Sequence, residues 1–533
     1  MKNKIFITAI IASVLLGSCK QEVIKLEQPA APQPGPAPSK GNADFTKFVA
    51  IGNSLTAGFQ AGALFNEGQA NSLPKIMADQ FAVVGGGAFN QPDINSVNGF
   101  NSTSSNIGSG VIRGRLVLFD PDGTGPRTPG PVASGTPGVP APFNTADLPA
   151  PFAGNKAALN NFAVPGILLG QALIAATGGP PTSTPPFNGL YARFASNPGT
   201  STIIGDAVAA QGTFFLFDLG NNDVLGYATT GGSGAVPITS TVDFQTQYTA
   251  AMNALLANPN VKGVVGNIPD VTSIPFFNTV RFNAIPMDAA TATTVNGAFA
   301  GYNGVLDAIK GNANLLALLG TTAAALDARK INFTAATNNE IVIVDKNLPD
   351  LGPALDALVA ANAITTTQRA QLASYQRVRE ANSGDLIALS AGAILGTTVG
   401  GNPLLVNGVS VPLADQFVLL PSEITACRDA VTAFNSIIKS AADNSNNRVA
   451  LADVNAAFNN LVAARAGVYN GVTITPSFAP PTGAFSEDGV HPNSRGYAFM
   501  ANIFIQAINA KFNANVPLAD LSKYKGTGLP LNP

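Results

Sequence analysis

The chain holds a single histidine, His491, in the run Asp488-Gly489-Val490-His491-Pro492. Imidazole is the side chain best suited to taking up and returning a proton near neutral pH. A carboxylate three positions earlier, across a glycine, can fold back onto Nδ1, fix the tautomer and leave Nε2 free to accept a proton. Pro492 biases His491 toward extended backbone, so no helix runs through it. Taken alone, a histidine is more often structural than chemical, and its meaning depends on what faces it.

A base of this kind needs a nucleophile. Ser54, in Gly52-Asn53-Ser54-Leu55-Thr56-Ala57-Gly58, directly follows the apolar run Phe48-Val49-Ala50-Ile51. A serine between a buried strand and a helix is presented at the sheet's carboxyl edge, with its N–H at a helix start where an anion can bind. The plainer reading is that Ser54 only caps that helix. Gly220-Asn221-Asn222-Asp223 ends another apolar run. Its amides can form an Asx turn, or the Asn222 side chain can donate to a developing oxyanion. Gly166 closes a third run, and its N–H can meet a ligand without hindrance from a Cβ.

The runs that carry these residues read as strands: Phe48–Ile51, Asn161–Gly166, Thr213–Leu219, Val261–Asn267 and Arg448–Asp453. Helical patterns lie between them, notably Val242–Leu256 and Ile424–Ala442. Strands alternating with helices predict an α/β fold with a parallel five-stranded sheet and helices on both faces. In an open sheet ordered 2-1-3-4-5, ligands bind outside the carboxyl ends, at the switch between the first and third strands. Ser54, Gly166 and Asn222 leave the first three strands and converge there, and the loop with Asp488 and His491 follows the fifth. Two stretches break the alternation and are expected to be insertions. Residues 62–150 are rich in Gly, Pro, Asn and Ser, with one strand-like piece at Val111–Phe119. Residues 278–420 carry helical segments such as Gly301–Leu326 and Leu355–Ala363 and suggest a helical cap.

Gly52-Asn53-Ser54-Leu55, Gly166, Gly220-Asn221-Asn222-Asp223 and Asp488-Gly489-Val490-His491 resemble, in order, the four sequence blocks of the SGNH or GDSL hydrolase superfamily. Gly266-Asn267-Ile268-Pro269-Asp270 is similar to that family's fourth-strand region. The resemblance implies a flavodoxin-like three-layer α/β/α fold and hydrolysis of acyl esters. It implies Ser54 as nucleophile, His491 as base and Asp488 orienting it, with an oxyanion hole from the Ser54 and Gly166 N–H groups and the Asn222 side chain. The blocks span residues 45 to about 512, and the insertions between them carry no family signal. One position departs from the pattern: Asn53 stands where the family has Asp. A general α/β-hydrolase would need G-x-S-x-G, but Thr56 occupies its last position. Other readings are a carbohydrate O-acetyl esterase of the same fold, or a surface lipoprotein that keeps the fold and has lost catalysis. The substrate is expected to be an ester of a lipid, a small acid or an acylated carbohydrate, and the apolar 278–420 insertion leans toward the lipid.

The chain opens Met1-Lys2-Asn3-Lys4 and then runs apolar from Ile5 to Gly17, the pattern of a secretory leader. Leu16-Gly17-Ser18-Cys19 resembles a bacterial lipobox, so residues 1–18 are expected to be removed and Cys19 to carry lipid. Loss of Lys2 and Lys4 would take the formal charge from −2 to −4. No basic block points to nucleic acid. Residues 19–44, with Gln28 to Pro38 rich in proline, are expected to be an extended tether from the membrane, with the hydrolase body covering 45–533. Lys20 after Cys19 implies the outer membrane of a Gram-negative envelope. Only Cys427 would remain as a free thiol, expected to be buried on a helix face, which leaves no disulfide and no cysteine-based metal site. Asp120 to Gly125 faintly resembles a calcium loop, but position twelve is Pro131 and the better reading is a turn. No metal or cofactor is expected.

Overall fold

The computed structural model describes residues 37–100, 114–119, 128–131, 150–182 and 186–527. The expected leader, the lipidated Cys19, most of the tether and the Asp120–Gly125 turn lie outside the described residues. Four strands, β1 (Phe48–Gly52), β2 (Phe214–Asp218), β3 (Lys262–Gly266) and β4 (Val449–Ala452), form one parallel sheet in the order β1-β2-β3-β4. Every residue of β1 and β2 is buried. That explains why they read as continuous apolar runs and not as alternating ones: neither face of the sheet meets water.

The strand expected at Asn161–Gly166 does not form, and the sheet has four strands instead of five. Asn161 makes a single parallel bridge to Ala50. The backbone nevertheless follows β1, with Phe162 N donating to Ala50 O at 2.8 Å and Val164 N to Gly52 O at 3.0 Å. The ladder fails for local reasons. The Asn161 side chain accepts from Ala163 N at 3.0 Å, an Asx turn. Pro165 has no N–H to give, and Gly166 turns away at φ +76°.

Helices pack around the sheet: α1 (Ser54–Ala57), α2 (Leu73–Ala82), α3 (Asn222–Thr229), α4 (Thr241–Leu255), α5 (Pro421–Asp443), α6 (Val454–Ala464) and α7 (Ser494–Phe512). α4 and α5 meet through stacked rings of Phe244 and Phe434, 3.9 Å between centroids. α7 packs on β4 and on α2. α2 lies inside the Gly-, Pro-, Asn- and Ser-rich stretch 62–150, where the one element expected was a strand-like piece, and it starts where Ser72 caps it and Pro74 occupies its first turn. Cys427 is fully buried on α5, and burial pushes its thiol up to about 12.

The second insertion is more than a helical cap. Residues 285–420 bury a core of their own, centred on Phe299, Leu306, Ile343, Leu355 and Leu413. It combines helices with short antiparallel strand pairs such as Val342–Val344 with Val378–Glu380. The expected Gly301–Leu326 helix is three helices, Ala289–Lys310, Ala313–Leu319 and Ala323–Asp327, because Asn312 and Thr322 each cap a new start. Among the described residues no helix is long and apolar enough to cross a membrane.

The body begins earlier than Phe45. Ser39 and Asn515 exchange backbone hydrogen bonds at 3.1 and 2.8 Å, and Asn42 N donates to Phe512 O at 2.8 Å. Residues 39–44 are therefore seated against the C-terminal end of α7.

Candidate active site

Ser54 is the first residue of α1, two positions beyond β1. The Asn53 side chain caps that helix, its Oδ1 accepting from Leu55 N at 2.9 Å. Asn53 is itself buried, and its Nδ2 has no hydrogen-bond partner among the described residues. The first N–H groups of a helix have no acceptor inside it, so the Ser54 N–H is not consumed by α1.

His491 reaches this serine from the other end of the chain. His491 Nε2 lies 2.8 Å from Ser54 Oγ, and His491 Nδ1 lies 2.8 Å from Asp488 Oδ2. An ionised carboxylate only accepts, so Nδ1 carries the proton in the neutral ring and Nε2 is the acceptor facing the serine hydroxyl. The imidazole also rests against Phe59, 4.8 Å between ring centroids.

Asp488 is the hub of its loop. Oδ1 accepts from Val490 N and His491 N, both at 2.8 Å, and from Ser486 Oγ at 3.2 Å. Oδ2 accepts from Gly62 N at 2.7 Å in addition to the imidazole. Burial pushes this carboxyl up, but the facing His491 charge and the hydrogen bonds from His491 and Val490 outweigh it and hold it below its ordinary value. At the neighbouring Glu487 burial, with the Asp488 charge beside it, outweighs a backbone hydrogen bond and raises the carboxyl to about 7. Ser486 N donates to His491 O at 2.8 Å, which closes the loop on itself. Gly489 sits at φ +70°, and a Cβ there would stand 2.9 Å from Phe276 N and 3.0 Å from a Leu389 methyl. Phe276 N in turn donates to Gly489 O at 2.8 Å. The 486–491 loop is thus held from one side by Gly62 and from the other by Phe276, with Leu389 of the second insertion close against Gly489.

The remaining candidates gather beside Ser54. Val164 is bonded to Gly52, so Gly166 and Ser54 each emerge two residues past a shared hydrogen bond. Gly166 is exposed. Asn222 opens α3, and its Nδ2 donates to Ile167 O at 2.9 Å, next to Gly166. Asp223 reinforces the same loop: Oδ2 accepts from Leu169 N at 3.0 Å and Oδ1 from Thr239 Oγ1 at 2.7 Å. Burial raises Asp223 to about 6. Asn221 faces inward, with Nδ2 3.5 Å from Asp218 Oδ1. The structure therefore joins Ser54, His491 and Asp488 directly and brings Asn222 to the Gly166 loop. Sequence reading did not single out Gly62, Ser486 or the clamping role of Asp223. Gly62 had no signal to offer, since only folding brings it to Asp488.

Comparison of the chain with protein-family models, with curated proteins and with solved structures finds no match to any of them.

Proposed function

We propose that this chain is a serine ester hydrolase of the SGNH or GDSL kind, on a flavodoxin-like α/β/α arrangement. One observation carries the reading: the unbroken hydrogen-bond chain Ser54 Oγ–His491 Nε2 and His491 Nδ1–Asp488 Oδ2, each link 2.8 Å. A capping serine or a structural histidine has no need of that alignment. The backbone that follows β1 on its outer side supports the strand order that such a fold requires.

In the mechanism Ser54 Oγ attacks the ester carbonyl carbon while its proton passes to His491 Nε2. Asp488 holds the imidazole in the accepting tautomer and stabilises the imidazolium. The oxyanion is received by the Ser54 and Gly166 N–H groups and by the Asn222 amide, which exchanges the Ile167 carbonyl for the substrate oxygen. The C–O bond breaks, the alcohol leaves with the proton from His491, and water repeats the sequence on the acyl-enzyme.

A fluorophosphonate probe and p-nitrophenyl esters test this on the full chain. The expected result is one phosphonylated serine, Ser54, and hydrolysis that Ser54→Ala abolishes. Absence of both labelling and hydrolysis would overturn the reading.

We further infer a lipid-anchored envelope protein, from the apolar Ile5–Gly17 segment and the lipobox-like end at Cys19. Cells grown with labelled palmitate should label the protein, and Cys19→Ala should abolish the label. Equal label in both would refute the anchor.

A further inference from the structure

The short segment that follows the nucleophile's helix reaches every member of the candidate triad. Phe59 N donates to Ser54 O at 3.0 Å, and the Phe59 ring rests on the His491 imidazole. Ala61 N donates to Ser486 Oγ at 2.7 Å, and Gly62 N donates to Asp488 Oδ2 at 2.7 Å. This Phe59–Gly62 strap is itself pinned. Tyr497 of α7 donates its hydroxyl to Phe59 O at 2.5 Å. Gln60 and Ala63 exchange backbone hydrogen bonds at 3.1 Å, and Leu116 N donates to Ala61 O at 2.6 Å. Ala61 stands at φ +52°, a conformation that a residue with a Cβ adopts at a cost. It is kept there with both its N–H and its carbonyl engaged.

Ser486 joins the strap to the base. Its side chain is buried. The Ala61 N–H occupies a lone pair of its hydroxyl, which leaves the one hydroxyl proton to serve the loop. The acceptors there are His491 O at 2.9 Å and Asp488 Oδ1 at 3.2 Å. Ser486 N also donates to His491 O at 2.8 Å. The backbone of His491 is thus held by two donors from one residue, and that residue is held by a strap that begins at the nucleophile's own helix. Alanine at this position would cut the link and leave the Ala61 N–H buried without its acceptor.

We propose that Ser486 is a positioning residue: through the Phe59–Gly62 strap it fixes the approach of His491 Nε2 to Ser54 Oγ, without meeting the substrate. The inference rests on the ester-hydrolase reading and names what keeps its base in register. A displacement of about 1 Å can cost on the order of 10²-fold in rate, so the effect belongs in kcat and leaves KM alone.

The test compares variants of the full chain on p-nitrophenyl butyrate. Ser445 supplies the control. Its buried hydroxyl has the same connectivity, accepting from Val449 N at 3.0 Å and donating to Ala442 O at 2.6 Å, but it precedes β4 at the amino edge of the sheet. Ser486→Ala should lower kcat about 10- to 100-fold, keep KM within about twofold and slow fluorophosphonate labelling of Ser54 in the same proportion as kcat. Ser486→Ala and Ser445→Ala should each lose about 1–3 °C in Tm, and Ser445→Ala should keep full kcat. Ser486→Cys keeps a weaker donor and acceptor and should fall between wild type and Ser486→Ala; it carries the test alone if alanine prevents folding. Wild-type kcat in Ser486→Ala or Ser486→Cys, equal losses of kcat in Ser486→Ala and Ser445→Ala, or a loss confined to KM would overturn the positioning role and leave the hydrolase reading standing. No hydrolysis and no labelling of the wild type would overturn both.

Discussion

Replacing Asp488 with asparagine separates its two tasks, since the substitution keeps shape and removes one acceptor. Four donors within 2.8 Å converge on the carboxylate: His491 Nδ1 and Gly62 N on Oδ2, Val490 N and His491 N on Oδ1. An amide has one oxygen. If that oxygen keeps the Val490 and His491 N–H groups, the new NH2 faces Gly62 N–H and the imidazole. The ring must then present Nδ1 as acceptor and turn a protonated Nε2 toward Ser54, where it cannot take the serine proton. If the amide flips, two backbone N–H groups are left facing donors. Either way two charge-assisted hydrogen bonds go, each worth roughly 1.5–3 kcal/mol, so Asp488→Asn should cost on the order of 3 kcal/mol of stability. With an unfolding entropy of about 2.1 cal/mol/K per residue, a body of this size loses about 3 °C in Tm for that amount. Turnover of p-nitrophenyl butyrate should fall about 10⁴-fold, as when a triad aspartate becomes asparagine in serine proteases. Ser54→Ala should abolish turnover and leave Tm nearly unchanged. Turnover of Asp488→Asn within tenfold of wild type would refute the orienting role. An unchanged Tm would refute the convergence of donors as a structural support. The carboxyl is held below its ordinary value, so its support is present above the unfolded value of about 4 and is lost only as pH falls through the lower folded value.

Asn222→Ala should lower kcat on the order of 10²–10³-fold, and steady-state kinetics should place the loss mainly in kcat. A loss confined to KM would remove Asn222 from the oxyanion site. Asp218 is buried at the end of β2 and raised to about 6 by that burial. Between about pH 4 and 6 the folded chain keeps a proton that the unfolded chain has released, so stability falls as pH rises across that window. Asp218→Asn should remove this fall, worth on the order of 3 kcal/mol, and raise Tm at pH 8 relative to pH 4.5; parallel pH profiles of Tm for the two proteins would contradict it.

The strands and the chemistry were legible for different reasons. β1 and β2 declared themselves because both faces are buried, which leaves unbroken apolar runs. His491 stood out as the only residue of its type, and Asp488 lay close enough in sequence to be paired with it. The Asn161 run misled because its side chain spends an acceptor on its own backbone, a competition that apolar patterning does not register. α7 had a start signal in Asn493 and periodic apolar residues at Tyr497, Ala501, Phe504 and Ile508, which the sequence reading did not use. The separate core of residues 285–420 needed tertiary contacts that no local pattern encodes.

The pairing of Ser39 with Asn515 also bears on how the body responds to force. A pull entering ahead of Ser39 does not reach β1 first. It meets a two-way backbone clamp against the end of α7, backed by the Asn42 bond to Phe512, and must shear these before β1 feels any load. The same closure sets the start of the body beside the turn that follows α7, and the chain beyond that turn stays packed through buried Val516, Ala519 and Leu521, so the clamp is anchored on its far side as well.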